Sequence, residues 1–155
     1  MTGMTKAKGN PTDSFWTWRK LMYQFLDGLT PEDIETIASY AMMEMAETGF
    51  AAVAEFHYIH NGKNGVRYSN PAEMTDRIAA AGVETGIGLT HLPVLYSQGG
   101  IDGRKLEGGQ KRFQTNISDI ELQVSKFSSQ LAFSDWNVGV APHSLRAVSQ
   151  KELAE

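Results

Sequence analysis

The sequence predicts an α/β protein built on a parallel sheet, and three observations carry that prediction. Short apolar runs at residues 50–60, 87–97 and 137–143 recur at intervals of about 40–50 residues, the scale of a repeated βα unit. Stretches with apolar residues at helical spacing lie between them. The runs are apolar throughout rather than alternating, which indicates parallel strands covered by amphipathic helices. Doubly wound sheets and (β/α)8 barrels both fit this order. No glycine-rich dinucleotide or phosphate-loop pattern follows any strand, which favours the barrel. A complete barrel takes about 250 residues and eight strands, so the residues alone describe either a small open sheet or a piece of something larger.

The elements follow in order. DSFWTWRKLMYQFLDGL (13–29) reads as a helix capped by Asp13 or Ser14, with Trp18, Leu21, Met22 and Phe25 on one face and Gly28 ending it. Thr30 caps the next helix, with Pro31 at its first position, Glu32 and Asp33 in the electropositive first turn, and capping-box spacing between Thr30 and Asp33. Ile34, Ile37, Ala38, Ala41 and Met45 form its apolar stripe, and Gly49 its C-cap. FAAVAEFHYIH (50–60) is a strand bounded by Gly49 and the turn-forming NGKNG. Asn70 as cap, Pro71 and Glu73 open a helix over 70–86, followed by the strand IGLTHLPVLYS. The loop QGGIDGRKLEGGQ has glycines without the spacing of a phosphate cradle. A helix is expected from Ser118 to Phe133, then the strand NVGVAPH (137–143), then a capped helix beginning in SQKELAE.

Bulk properties narrow the function. A chain of 155 residues, 41% apolar and 21% charged, is expected to be one soluble domain with a real core. Its net charge of −4 and lack of a basic stretch argue against nucleic-acid binding. The absence of cysteine excludes disulfides and thiolate metal sites, and fits a reducing cytoplasm. No apolar run approaches the ~20 residues of a membrane helix. The opening MTGMTKAKGNPTDS has no secretory core and reads as a loop, so the protein is not expected to begin there.

Both candidate architectures place their sites at the carboxyl ends of strands, where Tyr58, His60, Tyr96, His143 and Arg146 fall. If His143 points inward, so do Gly139 and Ala141, while Val138 and Val140 face the helices. His143 and Arg146 then suit a carboxylate clamp, the arginine giving a planar fork of donors and the histidine one more. A capping or salt-bridging pair on a surface loop fits the same spacing. Tyr58 shares a face with Ala54 and Phe56 and serves either to orient an anion or to pack. Glu55 and His57 occupy the other face as an expected buried structural pair. His57 and His60, three apart on a strand, are expected on opposite faces, and no histidine pair has ligand spacing. Trp16, Trp18 and the methionines at 22, 42, 43 and 45 read as core or subunit contact.

The segments FWTWRKLMYQF, LTPEDIETIA, GFAAVAEFHYIHNGKNGVRYSNPAEM, GIGLTHLPVLYSQGG, GGQKRF and VGVAPHSLRAV together resemble formimidoylglutamate deiminase of the amidohydrolase superfamily. They run in family order over almost the whole chain, and AEFHY and APHSLRAV are the most specific. The resemblance implies a partial (β/α)8 TIM barrel of the metal-dependent hydrolase type. Residues 1–30 would form a loop and lid-like helix, and 31–155 about three βα units, strands two to four. The first strand, strands five to eight and a β-sandwich domain would be absent. The implied reaction converts N-formimino-L-glutamate to N-formyl-L-glutamate and ammonia in histidine degradation. In it, zinc lowers the pKa of a bound water and a glutamate and a histidine move protons.

The family holds its zinc with an H-x-H pair on the first strand, a histidine on the fifth and an aspartate on the eighth. None has a counterpart here, nor do the proton-transfer residues. The resemblance therefore implies an internal fragment, inactive by itself, with zinc bound outside this chain. What carries over is the substrate side: Tyr58, His143 and Arg146 on the glutamate carboxylates, with Arg19 as a further candidate in the lid-like segment. The expected partners are a small dicarboxylate and a second copy in a homodimer, with no nucleic acid and no membrane. Two alternatives stand beside this reading. One is a superfamily deaminase acting on a purine or triazine; the other is a non-catalytic anion-binding or assembly module.

Overall fold

The computed structural model describes residues 15–131, 133 and 135–155. The caps expected at Asp13 and Ser14 lie outside the described residues, as does the side chain of Trp16. Three strand positions make one parallel sheet: β1 (Ala52–His57), β2 (Gly88–Leu95) in the centre, and a third strand in two pieces, β3 (Asn137–Val138) and β4 (Ala141–Pro142). The helices are α1 (Phe15–Gly28), α2 (Pro31–Glu47), α3 (Glu73–Thr85), α4 (Ile117–Ser128) and α5 (Gln150–Ala154). The α/β class with a parallel sheet is thus the one the apolar runs predict.

Local grammar holds where it is strongest. The Asp33 amide donates to Thr30 Oγ1 at 3.1 Å and the Thr30 amide to Asp33 Oδ2 at 2.9 Å, completing a capping box. Gly49 follows α2 at φ +95°, a conformation that favours glycine. Ser149 and Glu152 form the box that opens α5.

Four boundaries differ from the sequence reading, each for a hydrogen-bonding reason. β1 stops at His57, because the amides of His60 and Asn61 both turn to the Arg112 carbonyl, each at 2.9 Å. α3 begins at Glu73, because Asn70 Oδ1 accepts from the Ala72 amide in a preceding turn. α4 is capped by Asn116 and ends at Ser128, short of Phe133, where the Gln130 amide turns back to the Phe127 carbonyl. The third strand is interrupted at Gly139, whose amide bonds the His91 carbonyl before β4 resumes the ladder.

The core lies between the sheet and the helices α2, α3 and α4. Met42, Met74, Ile78, Leu89, Phe127 and Trp136 pack into one buried cluster. Within it His91, Phe127 and Trp136 stack in series, with ring centroids 4.8 and 5.6 Å apart. Burying a side chain such as Phe127 contributes about 1.5–3 kcal/mol. Arg77 of α3 joins it to α2 by ion pairs with Glu32 and Glu35, and also pairs with Glu73 on its own helix.

Arg112 has a different task. It is almost wholly buried, and its guanidinium donates to the carbonyls of Leu26, Leu29 and Asn61. Two of these carbonyls belong to the end of α1 and its exit, where the helix dipole is negative. The third belongs to the loop leaving β1. One cation therefore fixes α1 to the carboxyl end of the sheet.

Candidate anion-binding site

Each parallel strand delivers one functional side chain immediately past its last residue: Tyr58 after β1, Tyr96 after β2 and His143 after β4. The rings converge. Tyr58 and Tyr96 lie 5.5 and 4.6 Å from His143, centroid to centroid, and Phe56 lies 6.0 Å away. Phe113, from the 3-10 segment Gly108–Phe113, closes the floor at 4.9 Å from Tyr58 and 5.5 Å from Tyr96. Trp18, Arg19, Met22 and Tyr23 of α1 complete the wall, and Arg146 enters from the turn after β4. The cleft they line, open to solvent on one side, measures about 150 Å³.

Backbone bonds set this geometry. The His143 amide donates to the Leu95 carbonyl at 3.0 Å. The Ala147 carbonyl accepts from the amides of Ser97 and Gln98, clasping the Arg146 turn to the exit of β2. Thr115 bonds both the amide and the carbonyl of Tyr96, which fixes the direction of that phenol.

The electrostatics suit an anion. Burial lowers the pKa of His143, and the charges of Arg146 and Arg19 lower it further. The imidazole is therefore neutral at pH 7, with Nδ1 3.1 Å from Ser144 Oγ. Burial raises the pKa of Tyr58 and of Tyr23, so both phenols keep their protons and remain donors. Among the described residues no carboxylate lines the cavity. Two guanidiniums, one neutral imidazole and protonated phenols thus surround a space that a small carboxylate fits.

All four residues singled out from the sequence, Arg19, Tyr58, His143 and Arg146, come together here. Among the described residues neither His143 nor Arg146 takes part in an ion pair, so the surface salt-bridge alternative has no partner in this fold. Tyr23 and Phe113 escaped the sequence reading. The i,i+4 spacing of Arg19 and Tyr23 on a helix was the available signal for the first; Phe113 sits in an irregular segment that carries none.

The histidines on the other side of the sheet correct an expectation. His57 and His60 were expected on opposite faces. Their rings instead meet edge to face at 5.6 Å, because the chain leaves the strand at His57 and turns. His91 joins them, 5.7 Å from His57, and all three are buried. Glu55 lies 3.8 Å from His57 but is a third exposed, so the pair is less buried than the sequence suggested.

A zinc site is a poor fit to these residues. His60 Nε2 is taken up by the Val94 carbonyl and His91 Nε2 by Thr75. Among the described residues no group of three or more histidines or carboxylates is placed to hold a metal ion. None of the described helices is long and apolar enough to cross a membrane.

Comparison with known proteins agrees with the resemblance. The chain is 45% identical to formimidoylglutamate deiminase of Pseudomonas aeruginosa over 155 residues, 99% of this chain. It superposes on the crystal structure of an amidohydrolase from Brucella melitensis with a TM-score of 0.92 and 42% identity, again over 99% of this chain. The chain spans 34% of the length of the first and 35% of the second. No family model matches it. Both names denote hydrolases, and the similarity to formimidoylglutamate deiminase read from the sequence motifs is borne out across the chain.

Proposed function

We propose that this chain forms the carboxylate-binding wall of a hydrolase that converts N-formimino-L-glutamate to N-formyl-L-glutamate and ammonia. One observation carries the proposal: Arg19, Arg146, His143 and Tyr58 share one cavity, and among the described residues no carboxylate opposes them. The Arg146 fork and the His143 ring take one carboxylate of the glutamate moiety, and the Tyr58 phenol donates to the same group. Arg19, on α1, holds the second. The deiminase likeness supplies the formimino group as the reacting end.

The sheet belongs, in this reading, to part of a (β/α)8 barrel, with α1 as a lid-like helix and 31–155 as βα repeats. A homodimer, a cytoplasmic location and a place in histidine degradation complete the proposal. Zinc would supply a hydroxide for attack on the formimino carbon. It finds no ligand set among the described residues, so the roles assigned to this chain are binding and orientation.

The test is ammonia release from N-formimino-L-glutamate by the polypeptide as expressed from its gene, compared with its Arg146→Ala form. Turnover with a KM raised at least tenfold by the substitution supports the reading. Turnover of a purine or triazine in preference to the dicarboxylate overturns it, as does a KM indifferent to Arg146.

A further inference from the structure

Tyr23 stands in the cavity with a hydrogen-bond pattern that leaves little choice about its role. The Arg19 Nε–H donates to the Tyr23 oxygen at 2.6 Å, and the Arg19 guanidinium carbon lies 5.1 Å from the centre of the same ring. A guanidinium only donates, so the phenol accepts there. Its own O–H is then available as a donor, and burial keeps that proton in place. The ring position is built rather than incidental. A Cβ on Gly109 would lie 2.6 Å from Tyr23 Cγ and 2.9 Å from its Cβ, so only glycine lets the ring seat against this backbone. Phe113 supports another side of the ring, 5.9 Å away.

We propose that Tyr23 is a ligand-binding residue, donating its phenol proton to the anion that Arg19 engages while fixing the guanidinium by accepting its Nε–H. Arg19 and Tyr23 thus read the second carboxylate as a unit. This rests on the reading of the cavity as an anion site, and it names a specificity-determining residue within it.

The experiment measures binding of glutarate, and separately of inorganic phosphate, by calorimetry to the whole expressed protein. The variants are Tyr23→Phe, Gly109→Ala, Arg19→Gln, the double Tyr23→Phe/Arg19→Gln, and Arg146→Ala. Tyr23→Phe keeps the ring and its packing, and is expected to weaken glutarate binding about tenfold or more, the loss of a hydrogen bond to a charged group. Gly109→Ala is expected to reproduce that loss by displacing the ring. The double variant should bind more weakly than Arg19→Gln, but by a smaller factor than Tyr23→Phe costs the wild type. The direct donation is lost in either background and the fixing of Arg19 only in the wild type, a partial non-additivity that a packing role would not produce.

Wild-type affinity in Tyr23→Phe, with affinity lost in Arg146→Ala, overturns the proposal and leaves the dicarboxylate reading standing. Tyr23-dependent binding of phosphate without glutarate binding keeps Tyr23 and overturns the dicarboxylate. Failure of the wild type to bind either anion overturns both.

Discussion

Four histidines lie within reach of this sheet, and the two sides of it use them in opposite ways. His143, one residue past a strand end, is half-buried among aromatic rings and faces Arg146 and Arg19 across a cavity. His57, His60 and His91, on the helix side, touch one another inside the core. All four are the same residue type in one small protein. What separates them is the face of the sheet and the distance from the strand end. At the strand ends the backbone stops pairing and side chains converge on open space. On the helix side an imidazole is a large, flat core residue, as the stack of His91 on Phe127 shows.

The comparison breaks most visibly in acid. Burial, reinforced by the neighbouring imidazoles, pushes His60 down to about 3 and His91 down to about 2. In the unfolded chain both titrate near 6.5. Below that pH the unfolded chain takes up protons that the folded one refuses, so stability is complete above about pH 6.5 and falls as the pH drops toward 3. By pH 5 the loss is about 2 kcal/mol per group, roughly 4 kcal/mol together. Denaturant midpoints at pH 7 and pH 5 measure it; equal midpoints would show that the core histidines reach solvent.

Next in size is Arg146→Ala. Glutarate affinity is expected to drop about a hundredfold, as for loss of a charged fork, with the thermal midpoint almost unchanged. A large fall in the midpoint would place Arg146 with the core residues. His91→Leu sharpens the contrast from the other direction. It removes one orphaned buried nitrogen, Nδ1, and one titrating group. Stability at pH 7 is expected to stay within about 1 kcal/mol, and the loss at pH 5 to shrink by about 2 kcal/mol. Affinity for glutarate should not change.

His143 gives a smaller signal of the opposite sign. A bound carboxylate favours the imidazolium, so wild-type affinity should rise a few-fold between pH 7.5 and 6, and His143→Gln should flatten that profile. The smallest effect belongs to neither side. Asp102 and Arg104 pair in a loop where both are more than half exposed, and Asp102→Asn is expected to leave the denaturant midpoint unchanged.

How much of this was legible in the sequence depends on how far each signal travels. The Thr30 capping box is complete within four residues, and it was read correctly. Tyr58, His143 and Arg146 were legible as strand-end residues because a parallel sheet aligns its carboxyl ends. Arg19 was legible only through the family likeness, since nothing near it in sequence says that α1 covers those ends. The meeting of His57 with His60 was not legible. It follows from a turn that the Arg112 carbonyl enforces from 51 residues away. The break at Gly139 and the early end of α4 likewise answer to hydrogen-bond partners that periodicity does not encode. Tyr23 offered only its i,i+4 spacing from Arg19; its seat against Gly109 is a contact across the fold that the sequence does not show.

The pin at Arg112 also has a consequence in time. Its three carbonyl partners, on Leu26, Leu29 and Asn61, all leave the ribosome before it does. During synthesis β1 can find β2 once residue 95 has emerged, but the Arg112 bonds to α1 form only when residue 112 follows. The α1 wall of the cavity is thus pinned after β1 and β2 have emerged, and the third strand and Arg146 arrive later still. A nascent chain therefore holds its β1–β2 pairing before all the walls of the cavity are present.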